Sequence, residues 1–203
     1  MHARNIRRSD PHRDQLIVSW LKSALPEQVN LLGQRLKPLS LGHCMILERL
    51  SNPLFIGGDA TIDHLFEAAY VCCQDSTESW DSFFAPDFPE KILAWRKKIG
   101  RHDFRKSMTV FLNYKNDSTI FPEGGGGDEV EKRKLGTPFL LQIKIMLQSK
   151  LGYSERNALN KPVGAAMWEV LGLSEMEGHS KILNDIELDI ARIHRELVTK
   201  GDS

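Results

Sequence analysis

The sequence lacks any uninterrupted apolar run approaching the roughly 18 residues that a membrane-spanning helix needs, and its mean hydropathy is −0.33. It also lacks an excess of charge, with 27 Lys and Arg against 27 Asp and Glu in 203 residues. A protein that works mainly by neutralising phosphates usually shows a basic surplus, so the balance weakens the case for general polyanion binding without removing a local basic patch. Cysteine is scarce. Cys44, Cys72 and Cys73 make an odd set, and chain neighbours rarely bridge each other, so reduced thiols are expected instead of a disulfide framework. No apolar stretch follows the basic opening MHARNIRRSDPHRDQ closely enough to read as a secretion signal. These absences predict a soluble cytoplasmic protein, and 41% hydrophobic residues are enough for one substantial core.

What is present is helical punctuation. Asp10-Pro11 reads as an N-cap followed by proline at the first helical position, with Leu16, Ile17, Trp20, Leu21 and Leu25 at helical spacing behind it. Ser40 caps a second helix through Leu50, and Asp59 a third that carries Ile62, Leu65, Phe66 and Ala69 and ends near Cys73. SNPLFIGG between them reads as a turn-rich connector. Trp80, Phe83 and Phe84 suggest a brief helix. Ile92, Leu93, Trp95 and Ile99 suggest a longer one bent at Gly100. RHDFRKSMTVFLNYK reads as helix, although its short apolar core is also compatible with a strand.

Residues 116–134 change character, with four consecutive glycines followed by alternating acids and bases. Ordering such a stretch costs much entropy and buries little apolar area, so a flexible loop is expected there. Beyond it, Thr137-Pro138 opens a helix ending at Gly152, and Pro162 opens another closed by Gly172. Ser174 and Glu177 have capping-box spacing ahead of a stripe of Ile182, Ile186, Ile190, Ile193 and Leu197. The expected fold is therefore all-α, an irregular multi-helix globular domain of roughly seven to nine helices. Its expected parts are a flexible basic arm (1–9), an N-terminal helical sub-region (10–115), the Gly-rich loop (116–134) and a C-terminal sub-region (135–203) packed on the first.

Catalytic and metal constellations are weak. His43-Cys44, His64 and Cys72-Cys73 are the best metal-ligand assembly, but adjacent residues on a helix point about 100° apart and the CxxC and HxxxH spacings are missing. Packed small thiols are the expected role. Ser40, Cys44 and Cys73 lack a nucleophile elbow, and the acids Asp185 and Asp189 stand among Lys181, Arg192 and Arg195 as on a solvated helix face. GGGGDE lacks the Lys-Ser/Thr of a phosphate loop and is acidic where phosphate would sit. No cofactor, metal or catalytic residue is expected.

Two features point to partners. Arg96, Lys97, Lys98, Arg101, Arg105 and Lys106 accompany Trp95 and Phe104, a set able to lie along nucleic acid or an acidic protein groove. Short amphipathic helices with scattered methionines suit a groove that holds another polypeptide's helix.

KPLSLGHCMILERLSNPLFIGGDATIDHLFEAAYVC resembles the opening half of the tail assembly chaperone-like proteins of tailed phages and prophages. There a P-L-[ST]-L-G-H stretch leads into a leucine-rich helix, an S-P turn and a helix ending in V-C. LGTPFLLQIKIMLQSKLGYSERNALNKPVGAAMWEVLGLSEMEG is similar to their later half, with its A-L-x-x-P-[LV] turn and closing E-x-E-G. The resemblance implies a non-enzymatic helical factor in the cytoplasm of a bacterial host. Its partners would be phage tail proteins: a tape-measure protein, whose apolar stripes it would keep soluble, and a tail-tube subunit. Leu41, Met45, Leu65, Phe66, Met167 and Trp168 are the candidate client-binding residues; self-association is allowed, membrane binding is not expected, and a nucleic-acid-associated role through 96–106 is the alternative. The FPEGGGGDEVEKRK insertion and the basic arm depart from compact members of that family, leaving open a neighbouring tail protein that shares the fold.

Overall fold

Ser40 opens the helix around which the others are arranged. In the computed structural model, which describes residues 18, 20–23, 27–99, 102–120 and 137–178, this helix (α1) spans Leu41–Arg49. Six of its nine residues are buried: Leu41, Gly42, His43, Cys44, Ile46 and Leu47. It packs against α2 (Pro53–Ile56) and α3 (Ile62–Cys73) on one side of the chain, and against α6 (Phe139–Ser149), α7 (Glu155–Asn160) and α8 (Val163–Met176) from beyond the glycine-rich segment. The two helical sub-regions thus share one core. A 3-10 turn at Asp81–Phe83 and helices α4 (Phe88–Ile99) and α5 (Phe104–Ser118) complete the described elements, together with helical residues 18 and 20–23. Among the described residues the only strands are β1 (Asn30–Leu31) and β2 (Gln34–Arg35), an antiparallel pair, so the chain is an all-α multi-helix globular domain. No described helix is long and apolar enough to cross a membrane.

Local chemistry explains the helix ends. Ser40 has extended backbone, and its hydroxyl accepts from His43 N while His43 Nδ1 accepts from Ser40 N, a capping box with histidine in the usual glutamate place. At the other end of α1, Ser51 takes φ 56°, Ser51 N donates to Glu48 O and Asn52 N to Leu47 O, the bond pattern of a Schellman turn. Asn52, fully buried, then caps α2 through Leu54 N and donates to His64 O and Glu67 Oε1 on α3.

Several boundaries differ from the sequence pattern. The cap of α3 is Thr61, not Asp59, because Thr61 N finds His64 Nδ1 at 3.0 Å. The SNPLFIGG connector contains α2, and α5 continues to Ser118, three residues into the segment read as loop. Helix α6 begins after Pro138, which shows no side-chain cap bond. Helix α8 runs through Gly172 and ends at Gly178, whose φ of 78° supplies the left-handed residue a C-terminus uses; Ser174 is therefore helix interior, not a cap, and Glu177 is the C-cap. Helix α7 and the β-hairpin have no counterpart in the pattern. The hairpin turns at Leu32-Gly33 with both φ positive, and Leu32 accepts that strain with its side chain 6% exposed. The basic arm, the Asp10-Pro11 start, Gly100, Arg101, the four glycines and the 182–197 stripe lie outside the described residues.

The core joins aliphatic side chains of α1 with an aromatic chain on the α3–α4 side. Trp95 packs edge-on to Phe66 and Tyr70, Tyr70 to Phe88, and Phe88 to Phe83, with ring centroids 5.4 to 6.1 Å apart. Such pairs add about 0.5–1.5 kcal/mol each beyond area burial. At the start of α8, a Cβ on Gly164 would stand 2.4 Å from Ser23 Cβ and 2.7 Å from Ser118 O. Gly164→Ala is therefore expected to lower unfolding free energy by about 1–3 kcal/mol. Ser51→Gly, which relieves a positive φ, is expected to raise it by up to about 1 kcal/mol. Urea unfolding of the two variants checks both signs.

Candidate functional site

Two constellations carry chemistry-bearing residues. The first lies at the cap of α1, where Ser40, His43 and Asp75 bring together the residue types of a hydrolytic triad. Ser40 Oγ donates to Ser76 Oγ at 3.3 Å, and Ser76 Oγ to Asn160 Oδ1 at 2.9 Å. Asn160 Nδ2 donates to Thr77 Oγ1, which donates to Asp75 Oδ1 at 2.6 Å. That last bond, with the backbone N–H groups of Thr77 and Glu78, holds the Asp75 carboxyl far below its usual range. Yet His43 Nδ1 receives Ser40 N–H and its Nε2 lies 3.0 Å from Gln74 O, so both ring nitrogens are engaged by backbone. Neither can take a proton from Ser40 Oγ, and Ser40, His43 and Ser76 are at most 2% exposed. The network is structural. It joins α1 to the turn after α3 and to the end of α7.

The thiols belong to the same interior. Cys44 and Cys72 are buried and Cys73 half-buried. Burial pushes the Cys44 thiol up to about 12 and Cys73 up to about 11, and raises Cys72 as well. Raised thiols are poor nucleophiles. His64 spends Nδ1 on Thr61 N, and among the described residues no group of three His, Cys, Asp or Glu side chains could hold a metal ion.

The second constellation is a groove of about 590 Å³ between the hairpin, α3, α4 and the start of α5. Leu65 and Phe66 form part of its lining with Leu32 and Ile62, while Leu93, Arg96, Lys97, His102 and Phe104 complete it. Phe104 also lines a second depression of about 600 Å³, formed with Phe55, Ile56, Met108, Leu112 and Lys115. Helix α5 explains this continuity through two stripes. Ser107, Phe111, Tyr114 and Ser118 face the core, and Phe104, Met108 and Leu112 recur at i, i+4 and i+8 about a quarter-turn away. On the second stripe Phe104 is 36% and Leu112 38% exposed and Met108 is half-buried, while Leu93 in the groove is 54% and Ile56 in the second depression 55% exposed.

The cations of this face fall into two kinds. Arg96 pairs with Asp63 and lies 4.9 Å over the Phe66 ring, and Lys115 donates to Leu54 O at 2.6 Å. Lys97, Lys98, Arg105 and Lys106 have no ion pair among the described residues. Lys97 and Lys98 sit in the last turn of α4, and Arg105 and Lys106 in the first turn of α5. Arg101, between them in sequence, lies outside the described residues.

The six sequence candidates for client binding do not meet on one surface. Leu41, Leu65, Phe66 and Met167 are at most 5% exposed and serve the core, because each stands on the inward face of its helix. Met45 borders a charged depression with Glu78, Lys144 and Arg156, and Trp168 is half-buried with Nε1 donating to Ile120 O. Leu65 and Phe66 alone reach the groove, from below. Leu112, Met108 and Ile56 line the second depression and are not among the sequence candidates; the signal for the first two is the second apolar stripe of α5. Searches against protein-family models, curated proteins and solved structures give no match to the chain.

Two measurements follow from the first constellation. Burial holds the His43 pKa below the ordinary value of about 6.5, against the opposing bond to Gln74 O. The unfolded chain then binds more protons than the folded one, so the neutral imidazole's contribution is complete above about pH 6.5 and is lost as pH falls through the depressed folded value. Urea unfolding of the wild type is expected to weaken below that pH, with a flatter profile for His43→Gln. Native alkylation with iodoacetamide is expected to modify Cys73 first and Cys44 and Cys72 only on denaturation; rapid native labelling of Cys44 would contradict the buried placement.

Proposed function

We propose that this chain is a non-enzymatic assembly factor that holds an apolar helical segment of a larger client, in the manner of the phage tail assembly chaperones its sequence resembles. The observation that supports this reading is the stripe of Phe104, Met108 and Leu112, whose Phe104 lines both the groove that holds Leu93 and the adjoining depression that holds Ile56. Large apolar side chains at helical spacing on a concave surface are complementary to another amphipathic helix. A tape-measure-type protein is the proposed client, with a tail-tube subunit as a further partner, in the cytoplasm of the bacterial host.

Magnitudes suit a transient grip. Completing the burial of Phe104, Leu112, Ile56 and Leu93 contributes on the order of 3–6 kcal/mol before association entropy is subtracted. That favours a reversible complex, as a factor that leaves its client after assembly requires. The alternative, nucleic-acid binding through 96–106, is the weaker reading. Trp95 has its ring packed edge-on against Phe66 and Tyr70, and Arg96 is committed to Asp63 and Phe66, so the aromatic and one of the cations are already engaged.

Co-expression with a tape-measure-type client tests the proposal. The wild type is expected to shift the client from pellet to supernatant, and Leu112→Asp with Phe104→Asp to return it to the pellet while circular dichroism stays that of a folded helical protein. A client equally insoluble with and without the chain would count against it.

A further inference from the structure

We infer that the helix seated in this groove is acidic: an amphipathic segment of about three turns whose apolar row is flanked by Asp and Glu. This rests on the groove reading above and adds the charge of the occupant. The stripe from Phe104 to Leu112 covers nine residues, a rise of roughly 12 Å along the helix, and Leu93 extends the apolar floor beyond Phe104. An occupant of about eleven residues spans that length.

Charge decides its flanks. Lys97 lines the groove and Arg105 flanks the Met108–Leu112 side of the α5 stripe, both without ion-pair partners among the described residues, whereas helical spacing turns Lys98 away from Leu93 and Lys106 to nearly the opposite side of α5. Of the acids nearby, Asp63 is paired with Arg96 and the Asp103 carboxylate caps α5 through Lys106 N, while Glu90 stands two turns before Lys97 on the Leu93 face of α4. Asp59 lies at the far end, between Gly58 and Ala60 of the second depression. The occupant's acids therefore face the Leu93–Phe104 end.

Arg105 sits in the first turn of α5, where the helix dipole disfavours cations and the acid beside it is the N-cap Asp103. A cation that opposes local stability fits a position held for binding. Its replacement by an acid should leave α5 as stable or more so, which separates a binding role from a folding role.

The test uses the full chain and three synthetic helical peptides with one identical Leu/Ile stripe, flanked by Glu, by Gln or by Lys. Binding is read by fluorescence polarisation at low and at physiological ionic strength, beside a labelled DNA duplex. The Glu peptide is expected to bind at least about 10-fold more tightly than the Lys peptide at low salt, with the gap narrowing as salt screens the lip. Lys97→Glu with Arg105→Glu is expected to reverse that order while circular dichroism stays that of a folded helical protein. Leu112→Asp is expected to weaken all three peptides alike. Equal affinities for the three peptides would overturn the acidic occupant and leave the groove reading standing. No binding by any peptide would overturn both. Tighter binding of the duplex than of the Glu peptide would assign the cations to nucleic acid and overturn the inference, as would self-association abolished by Leu112→Asp, which would assign the groove to a second copy.

Discussion

The backbone from Lys37 to His43 is held from several directions at once, and the rest of the molecule is arranged around that hold. Lys37 N donates to Cys72 O at the end of α3, and Lys37 O accepts from Tyr114 on α5. Val163 N donates to Leu39 O and Leu41 N to Lys161 O, bringing the α7–α8 junction alongside as a single antiparallel bridge at Ser40 and Pro162. His43 then reaches Gln74 O with the nitrogen its capping bond leaves over. Leu39, Ser40, Leu41 and His43 are buried, so their polar groups need these partners. Helices distant in sequence are thereby set against α1 by directional bonds as well as by packing.

That arrangement consumes the reactive side chains. Ser40, His43 and the three thiols are the residues that would attract attention in a search for catalysis, and the fold uses them as caps, bridges and packing. The surface on the α4–α5 side shows the opposite economy. There Leu93, Ile56, Phe104 and Leu112 remain open and four cations stay unpaired among the described residues. Local conflicts of that kind fit a surface completed by another molecule rather than by the fold itself.

Much of the architecture was legible in advance. Ser40 as a cap, the stripe from Ile62 to Cys73, the brief aromatic helix near Trp80 and the helical reading of MTVFLNY all correspond to elements with the expected type. What escaped was governed by distant atoms. Leu32 turns a hairpin with a positive φ that its own chemistry disfavours, because its side chain is taken into the core. Gly172 lies inside a helix and Gly178 ends it, since nothing local distinguishes one glycine from the other before α8 is packed on α1 and α6.

The sequence by itself determined the all-helical class, the Ser40 and Pro162 helix starts and the existence of a basic segment. These depend on residues within a turn or two of one another: caps, apolar spacing, composition. Only the tertiary structure decided which apolar stripe is core and which is open. Leu41, Leu65, Phe66 and Met167 carry the same pattern as Phe104 and Leu112, but burial is a property of the neighbours a side chain meets, and those neighbours come from elsewhere in the chain. The cations of 96–106 follow the same rule. Asp63, thirty-three residues from Arg96, neutralises one of them, and the fold leaves Lys97, Lys98, Arg105 and Lys106 exposed, with Lys97 lining the groove.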